Sequence, residues 1–154
     1  MSPENAEMTA WLLQLSRAWR RAANAGLADL GLSDATAWPL LMISRMGGGM
    51  RQIALAEMLG IEGPSLVRLL DQLCTAGFVL RREDEGDRRA KTLHLTDLGI
   101  ETTGHIEERL DALRAQLLSG VQPSDLQTCL RVFRALGKRL GCSVPRRQAI
   151  GVDA

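Results

Sequence analysis

The stretch from Gln52 to Thr96 leaves a chain of this length few choices of fold, because one helix ends at Gly60 and another begins beside Pro64. Ile53, Ala56 and Leu59 repeat at helical spacing and stop at Gly60, a residue suited to the left-handed conformation that closes a helix. Pro64 fits the first position of a new helix, where its missing N–H would be unpaired in any case, and Gly63 is then the N-cap. Leu66, Leu69, Leu70 and Leu73 form the apolar stripe of this helix, and Gly77 ends it. Ser65, Arg68 and Gln72, at i, i+3 and i+7, project from another face. Two helices so joined describe a helix-turn-helix, whose second helix commonly enters the DNA major groove.

The residues that follow complete the unit. Phe78-Val79-Leu80-Arg81-Arg82 has the pattern of a strand, Glu83 to Lys91 is polar with Gly86 at its turn, and Thr92-Leu93-His94-Leu95 alternates as a returning strand. The hairpin is a wing. The run Gly60-Ile61-Glu62-Gly63-Pro64-Ser65-Leu66-Val67-Arg68-Leu69-Leu70-Asp71-Gln72-Leu73, then Asp87-Arg88-Arg89-Ala90-Lys91, then Leu95-Thr96, resembles the MarR family of bacterial transcription regulators in order and spacing, and within it looks most like the SlyA type. The resemblance covers the chain from about Trp11 to Leu140, although the flanking helices match only as a pattern of apolar positions. It implies a mainly α fold with a small β-hairpin wing, a winged helix-turn-helix flanked by long dimerisation helices. It further implies a homodimer that binds double-stranded DNA at a pseudo-palindromic operator.

The chemistry of the exposed residues agrees with that implication. Ser65 is small enough to let the backbone approach DNA and can donate to a phosphate or a base, and Arg68 can make the bidentate contact to guanine, worth about 1–3 kcal/mol of discrimination. An arginine is also drawn into a narrow minor groove by its enhanced negative potential. Arg89 is assigned that contact, with Arg88 as its rival. Asp87 would be repelled by DNA, and the resemblance implies that it braces a wing arginine. The expected DNA-binding set is Pro64, Ser65, Arg68, Gln72, Arg88, Arg89 and Lys91. A formal charge of +1 and a pI near 7.8 fall below the pI of about 9 usual for nucleic-acid-binding domains. Phosphate contact needs cations only on the docking face, however, and Glu83, Asp84 and Glu85 beside the arginines point to moderate, salt-sensitive affinity.

On either side of this unit the chain reads as long amphipathic helices. Met8, Trp11, Leu12, Leu15, Ala18, Trp19 and Ala22 give the first a broad apolar face, with Arg17, Arg20 and Arg21 on its other side. Ser33 or Asp34 caps a second helix carrying Ala37, Trp38, Leu41, Met42 and Ile43, and Met46 to Met50 reads as a flexible glycine link. After the wing, Thr96 caps a helix repeating Ile106, Leu110, Leu113 and Leu117, and Pro123 opens a last one with Leu126, Leu130, Phe133, Leu136 and Leu140. One small winged domain cannot cover the first and the last two of these stripes, so the terminal helices of two copies are expected to interdigitate about a two-fold axis. The expected divisions are 1–45, N-terminal helices; 46–99, the DNA-binding region; 100–142, dimerisation helices; and 143–154, a mobile tail. The resemblance also implies a pocket for a small aromatic carboxylate or phenolic ligand, with Arg17, Arg20 and Trp38 at matching positions.

Other classes find little in the chain. Cys74, Cys129 and Cys142 are odd in number and widely spaced, so neither a disulfide framework nor a zinc cage is expected, and they read as buried structural thiols. His94 and His105 stand alone, no metal or cofactor is expected, and no nucleophile-base or paired-carboxylate signature marks an enzyme. Met1 to Glu4 lacks the basic start of a signal peptide and no apolar run is long enough to span a bilayer, so a cytoplasmic protein without a membrane partner is expected. The alternatives are a cysteine-based redox regulator and a winged helix used only for protein interaction.

Overall fold

The computed structural model describes residues 2–142 and Val144; the expected mobile tail from Ser143 onward falls, Val144 apart, outside them. The elements run α1 (Pro3–Leu27), a 3-10 turn (Ala28–Leu30), α2 (Asp34–Arg45), β1 (Met50–Arg51), α3 (Gln52–Leu59), α4 (Gly63–Thr75), β2 (Val79–Glu83), β3 (Lys91–Leu95), α5 (Asp97–Leu117) and α6 (Pro123–Leu140). This is the mainly helical winged helix-turn-helix expected from the sequence. Among the described residues no helix is long and apolar enough to cross a membrane.

Helix α2 is central. Leu40, Leu41, Met42 and Ile43 are four successive buried residues, so the helix is covered on all sides, by α1, α3, α5 and β3. Ser33 is its N-cap, with Thr36 Oγ1 accepting from the Ser33 N–H at 2.9 Å. The same core takes Ala23 and Leu27 from α1, Leu55 from α3, Leu66, Leu70 and Leu73 from α4, Val79 and Leu93 from the sheet, and Ile106 and Leu110 from α5. In α3 the core contact is thus Leu55, and Ile53 is 68% exposed.

Three local expectations are corrected. The N-cap of α4 is Glu62 and Pro64 is the second helical residue, because the helical bonding already begins with the Leu66 N–H donating to Glu62 O at 3.1 Å. Pro64 costs nothing there, since that N–H is also one of the unpaired first-turn donors. The glycine segment is not a flexible link. Gly48 donates back to Ile43 O at 3.2 Å and Gly49 donates forward to Leu93 O at 2.8 Å, with Gly47, Gly48 and Gly49 all at φ between 74° and 79°. It delivers Met50 and Arg51 as a third strand opposite Leu93 and Thr92, giving an antiparallel sheet of order β1-β3-β2. The thiols are the third correction: Cys74 is half-buried, and Cys129 and Cys142 are exposed.

The start of α5 is tied to the sheet. Thr96 Oγ1 donates to Gly77 O at 2.6 Å and accepts from the Gly99 N–H at 2.9 Å, so it caps the helix as expected and anchors it to the end of α4. Gly99 permits the approach, for a Cβ there would lie 2.2 Å from Phe78 O. The outer helices are less covered. In α1 only Ala23 and Leu27 are buried, and α6 buries no residue at all.

Candidate nucleic-acid interface

Burial of Leu66, Leu70 and Leu73 against the core leaves Ser65, Arg68 and Gln72 of α4 exposed together, as their spacing predicts, and Pro64 is exposed in the first turn. The helix is fixed from the side by Arg81 of β2. Its guanidinium donates to Asp71 Oδ1 at 2.6 Å and to Val67 O at 3.2 Å. Nothing in the sequence around Arg81 marks this role, because its partners lie in an earlier element and become visible only once β2 is laid beside α4.

The hairpin is paired from Val79 opposite Leu95 to Glu83 opposite Lys91, and its tip begins at Asp84. Asp84 organises that tip. Its Oδ1 accepts from the N–H groups of Gly86 at 2.8 Å and Asp87 at 3.1 Å, and its Oδ2 accepts from Arg51 Nε at 2.9 Å. The Arg51 contact, followed by the Gly86 N–H, holds the Asp84 carboxyl below the usual carboxylate range, and the same contact raises the pKa of Arg51. Asp87, expected to brace a wing arginine, accepts from the backbone N–H of Arg89 at 3.0 Å; the aspartate-to-arginine ion pair of the wing is made by Asp84 and Arg51. Sequence reasoning placed Asp84 in an acidic run opposed to DNA, and only the fold brings Arg51 to it.

Arg88 and Arg89 are exposed, and among the described residues neither they nor Arg68 enters an ion pair. Lys91 differs from them, with Nζ 3.5 Å from Glu83 across the hairpin. Between wing and helices runs an open groove of about 620 Å³, lined by Ile53 of α3, Gly63 at the start of α4, and Arg51, Asp87, Arg89 and Lys91, three cations and one acid. The first turn of α4 and the cationic side of the wing therefore border one concave surface.

A second cavity, of about 310 Å³, lies between α1, α2 and the helix-turn-helix. Arg20, Asp34, Trp38, Leu59, Ile61 and Leu69 line it. The structure brings Arg20 and Trp38 together there, while Arg17 is not among the lining residues. Asp34 stands 3.7 Å from Arg20 Nε, an acidic neighbour not anticipated from its place at a helix start. Behind the cavity the Arg45 guanidinium lies 5.5 Å from the centre of the Trp38 ring and donates to Glu107 at 2.8 Å. Among the described residues no cluster of His, Cys, Asp or Glu is suited to hold a metal ion. His94 packs on the glycine corner and pairs with Thr92 Oγ1 at 3.1 Å.

Comparison with known proteins gives concordant results. A model described as "MarR family" matches residues 30–90. The solved transcriptional regulator PA3341 is 36% identical, the alignment covering 87% of this chain and 98% of that one with a TM-score of 0.78. A cysteine-to-serine mutant of MarR from E. coli, complexed with operator DNA, shares the fold at 20% identity, 86% and 95% coverage and a TM-score of 0.78. CouR from Rhodococcus jostii RHA1, bound to p-coumaroyl-CoA, does so at 20% identity, 84% and 90% coverage and a TM-score of 0.74.

Proposed function

We propose that this chain, which belongs to the MarR family, regulates transcription as a cytoplasmic homodimer that inserts α4 of each copy into successive major grooves of a pseudo-palindromic operator. The observation that carries the reading is the shared groove, with the first turn of α4 on one side and Arg89 and Lys91 on the other. Ser65, Arg68 and Gln72 contact base edges and phosphates in the major groove, Pro64 seats the helix start against the backbone, and Arg89 enters the adjacent minor groove, with Arg88 and Lys91 toward phosphates. Two-fold symmetry sets the half-sites roughly 10 base pairs apart. The operator complex of the E. coli relative supports DNA as the partner. Duplex binding by the parent, Arg68→Ala and Arg89→Ala at several salt concentrations tests the proposal. Specific binding relaxed by Arg68→Ala, with a steep salt slope in the parent, is the expected result; a parent that binds no duplex would leave the fold as a protein-interaction module.

Dimerisation is supported by the apolar residues that one chain leaves uncovered, Trp11, Leu15, Phe133 and Leu140 among them. Sedimentation equilibrium should give a dimer that Phe133→Glu dissociates. Ligand control is supported by the cavity at Trp38 and Arg20 and by the aromatic thioester bound to CouR. A small aromatic acid or phenol seated there alters operator affinity only through its different affinity for the two protomer arrangements. Calorimetric titration with salicylate, repeated with Trp38→Ala, tests it. Thiol control is the second reading, favoured by the exposure of Cys129 and Cys142; peroxide treatment that leaves operator affinity unchanged removes it.

A further inference from the structure

We infer that Arg51 is a positioning residue for Arg89, setting through Asp84 where the wing tip stands relative to α3 and α4. The inference rests on the DNA-binding reading above. The backbone of Arg51 is held twice, as the N-cap of α3 and as the strand partner of Thr92. Its side chain therefore starts from a point fixed to the helix-turn-helix. From there a chain of hydrogen bonds runs outward: Arg51 Nε to Asp84 Oδ2 at 2.9 Å, the Asp87 N–H to Asp84 Oδ1 at 3.1 Å, and the Arg89 N–H to Asp87 Oδ1 at 3.0 Å. It ends on the backbone of Arg89 and leaves that guanidinium free.

Among the described residues nothing else does this task. Regular pairing of the hairpin stops at Glu83 and Lys91, and the remaining hydrogen bonds of residues 84–90 stay within the tip, such as the Asp84 N–H to Ala90 O and the Ala90 N–H to Asp87 O. Among the described residues, no other hydrogen bond or ion pair joins the tip to the helices. A hairpin tip without such a tie can swing, and an arginine must stand at one distance from α4 to reach a minor groove while that helix occupies the neighbouring major groove. The tie also divides the two oxygens of Asp84 by task, one for the turn and one for Arg51, so the two can be separated by substitution.

Asp84→Asn keeps Oδ1 for the Gly86 and Asp87 N–H groups and turns an amide donor toward Arg51, so the turn stays and the tie is lost. Arg51→Met removes the tie from the other end and leaves the turn intact. Binding is measured on a duplex selected by the parent from a randomised pool, with A·T or G·C pairs placed under the wing. The quantity of interest is the ratio of the two affinities, because partial unfolding lowers both alike and leaves the ratio unchanged. Both variants are expected to lower the ratio about fivefold, in the range of one unfavourable base pair, and neither should lower it further in an Arg89→Ala background. If Arg89→Ala loses the ratio and Asp84→Asn keeps it, DNA reading by the wing stands and positioning by Arg51 falls. Arg51→Met lowering both affinities equally, with a shallower salt slope and no effect from Asp84→Asn, would make Arg51 a phosphate contact instead. An Arg89→Ala variant with the parent's ratio would remove the minor-groove assignment and this inference together.

Discussion

Arg81 reaches from β2 across the side of α4, donating to Asp71 Oδ1 at 2.6 Å and to the Val67 carbonyl at 3.2 Å, and so clamps the helix that carries Arg68. Asp71 is largely exposed, so the pair contributes little to global stability, and its expected effect is on the orientation of α4 against β2. Asp71→Ala should cost at most about 1 kcal/mol in urea unfolding, yet weaken specific duplex binding by more than that loss of folded protein accounts for. Equal losses in the two measurements would show that the clamp does not orient the helix.

Gly99→Ala should destabilise the fold strongly. The new methyl would fall 2.2 Å from Phe78 O, which already accepts from the Thr96 N–H at 3.0 Å. Backbone on both sides must part, at a cost of about 3 kcal/mol by comparison with overpacked cores. Denaturant titration of the variant checks it.

Glu107 bridges two cations, Arg45 at 2.8 Å and Arg114 at 3.3 Å. Arg114 retains Asp111 when Glu107 is removed, whereas Arg45, only 11% exposed, has no second acid and no partner for its buried Nε among the described residues. Glu107→Ala is therefore expected to cost about 3 kcal/mol, the effect of leaving a mostly buried charge without its carboxylate and with only the Trp38 ring beside it. Glu107→Gln, which preserves an acceptor, should lose clearly less, and the two are compared by thermal unfolding.

Asp84 gives a pH dependence of known sign. Its carboxyl titrates below the 3.8 of an unfolded aspartate because of Arg51 and the Gly86 N–H. A carboxyl depressed in the folded state contributes stability that is present above its unfolded pKa and is lost as pH falls through the folded one. The difference in melting temperature between the parent and Asp84→Asn should thus be full at pH 6 and shrink as pH falls below about 4. A difference that grows in acid would contradict the assignment.

What the sequence disclosed was set by range. The Gly60 turn, the Thr96 cap and the exposed face of Ser65, Arg68 and Gln72 depend on neighbours within a turn or two of helix, and the fold places them as local patterning predicts. The pair β1 was invisible, since two residues cannot display an alternation. Asp84 read as an obstacle to DNA because its cation lies 33 positions earlier, and Asp34 read as a cap because Arg20 meets it only after α1 and α2 cross. Ile53 shares the helical spacing of Ala56 and Leu59 yet stands 68% exposed, and Leu55, outside that spacing, is the buried residue of α3.

The glycine corner has a mechanical meaning. With Gly48 bonded back to Ile43 and Gly49 forward to Leu93, the end of α2 and the middle strand of the sheet are joined without a hinge. On the dimeric DNA-binding reading proposed above, a push delivered to Trp38 would therefore arrive at the wing as rotation of the whole protomer head, the way a wrench handle turns its jaw.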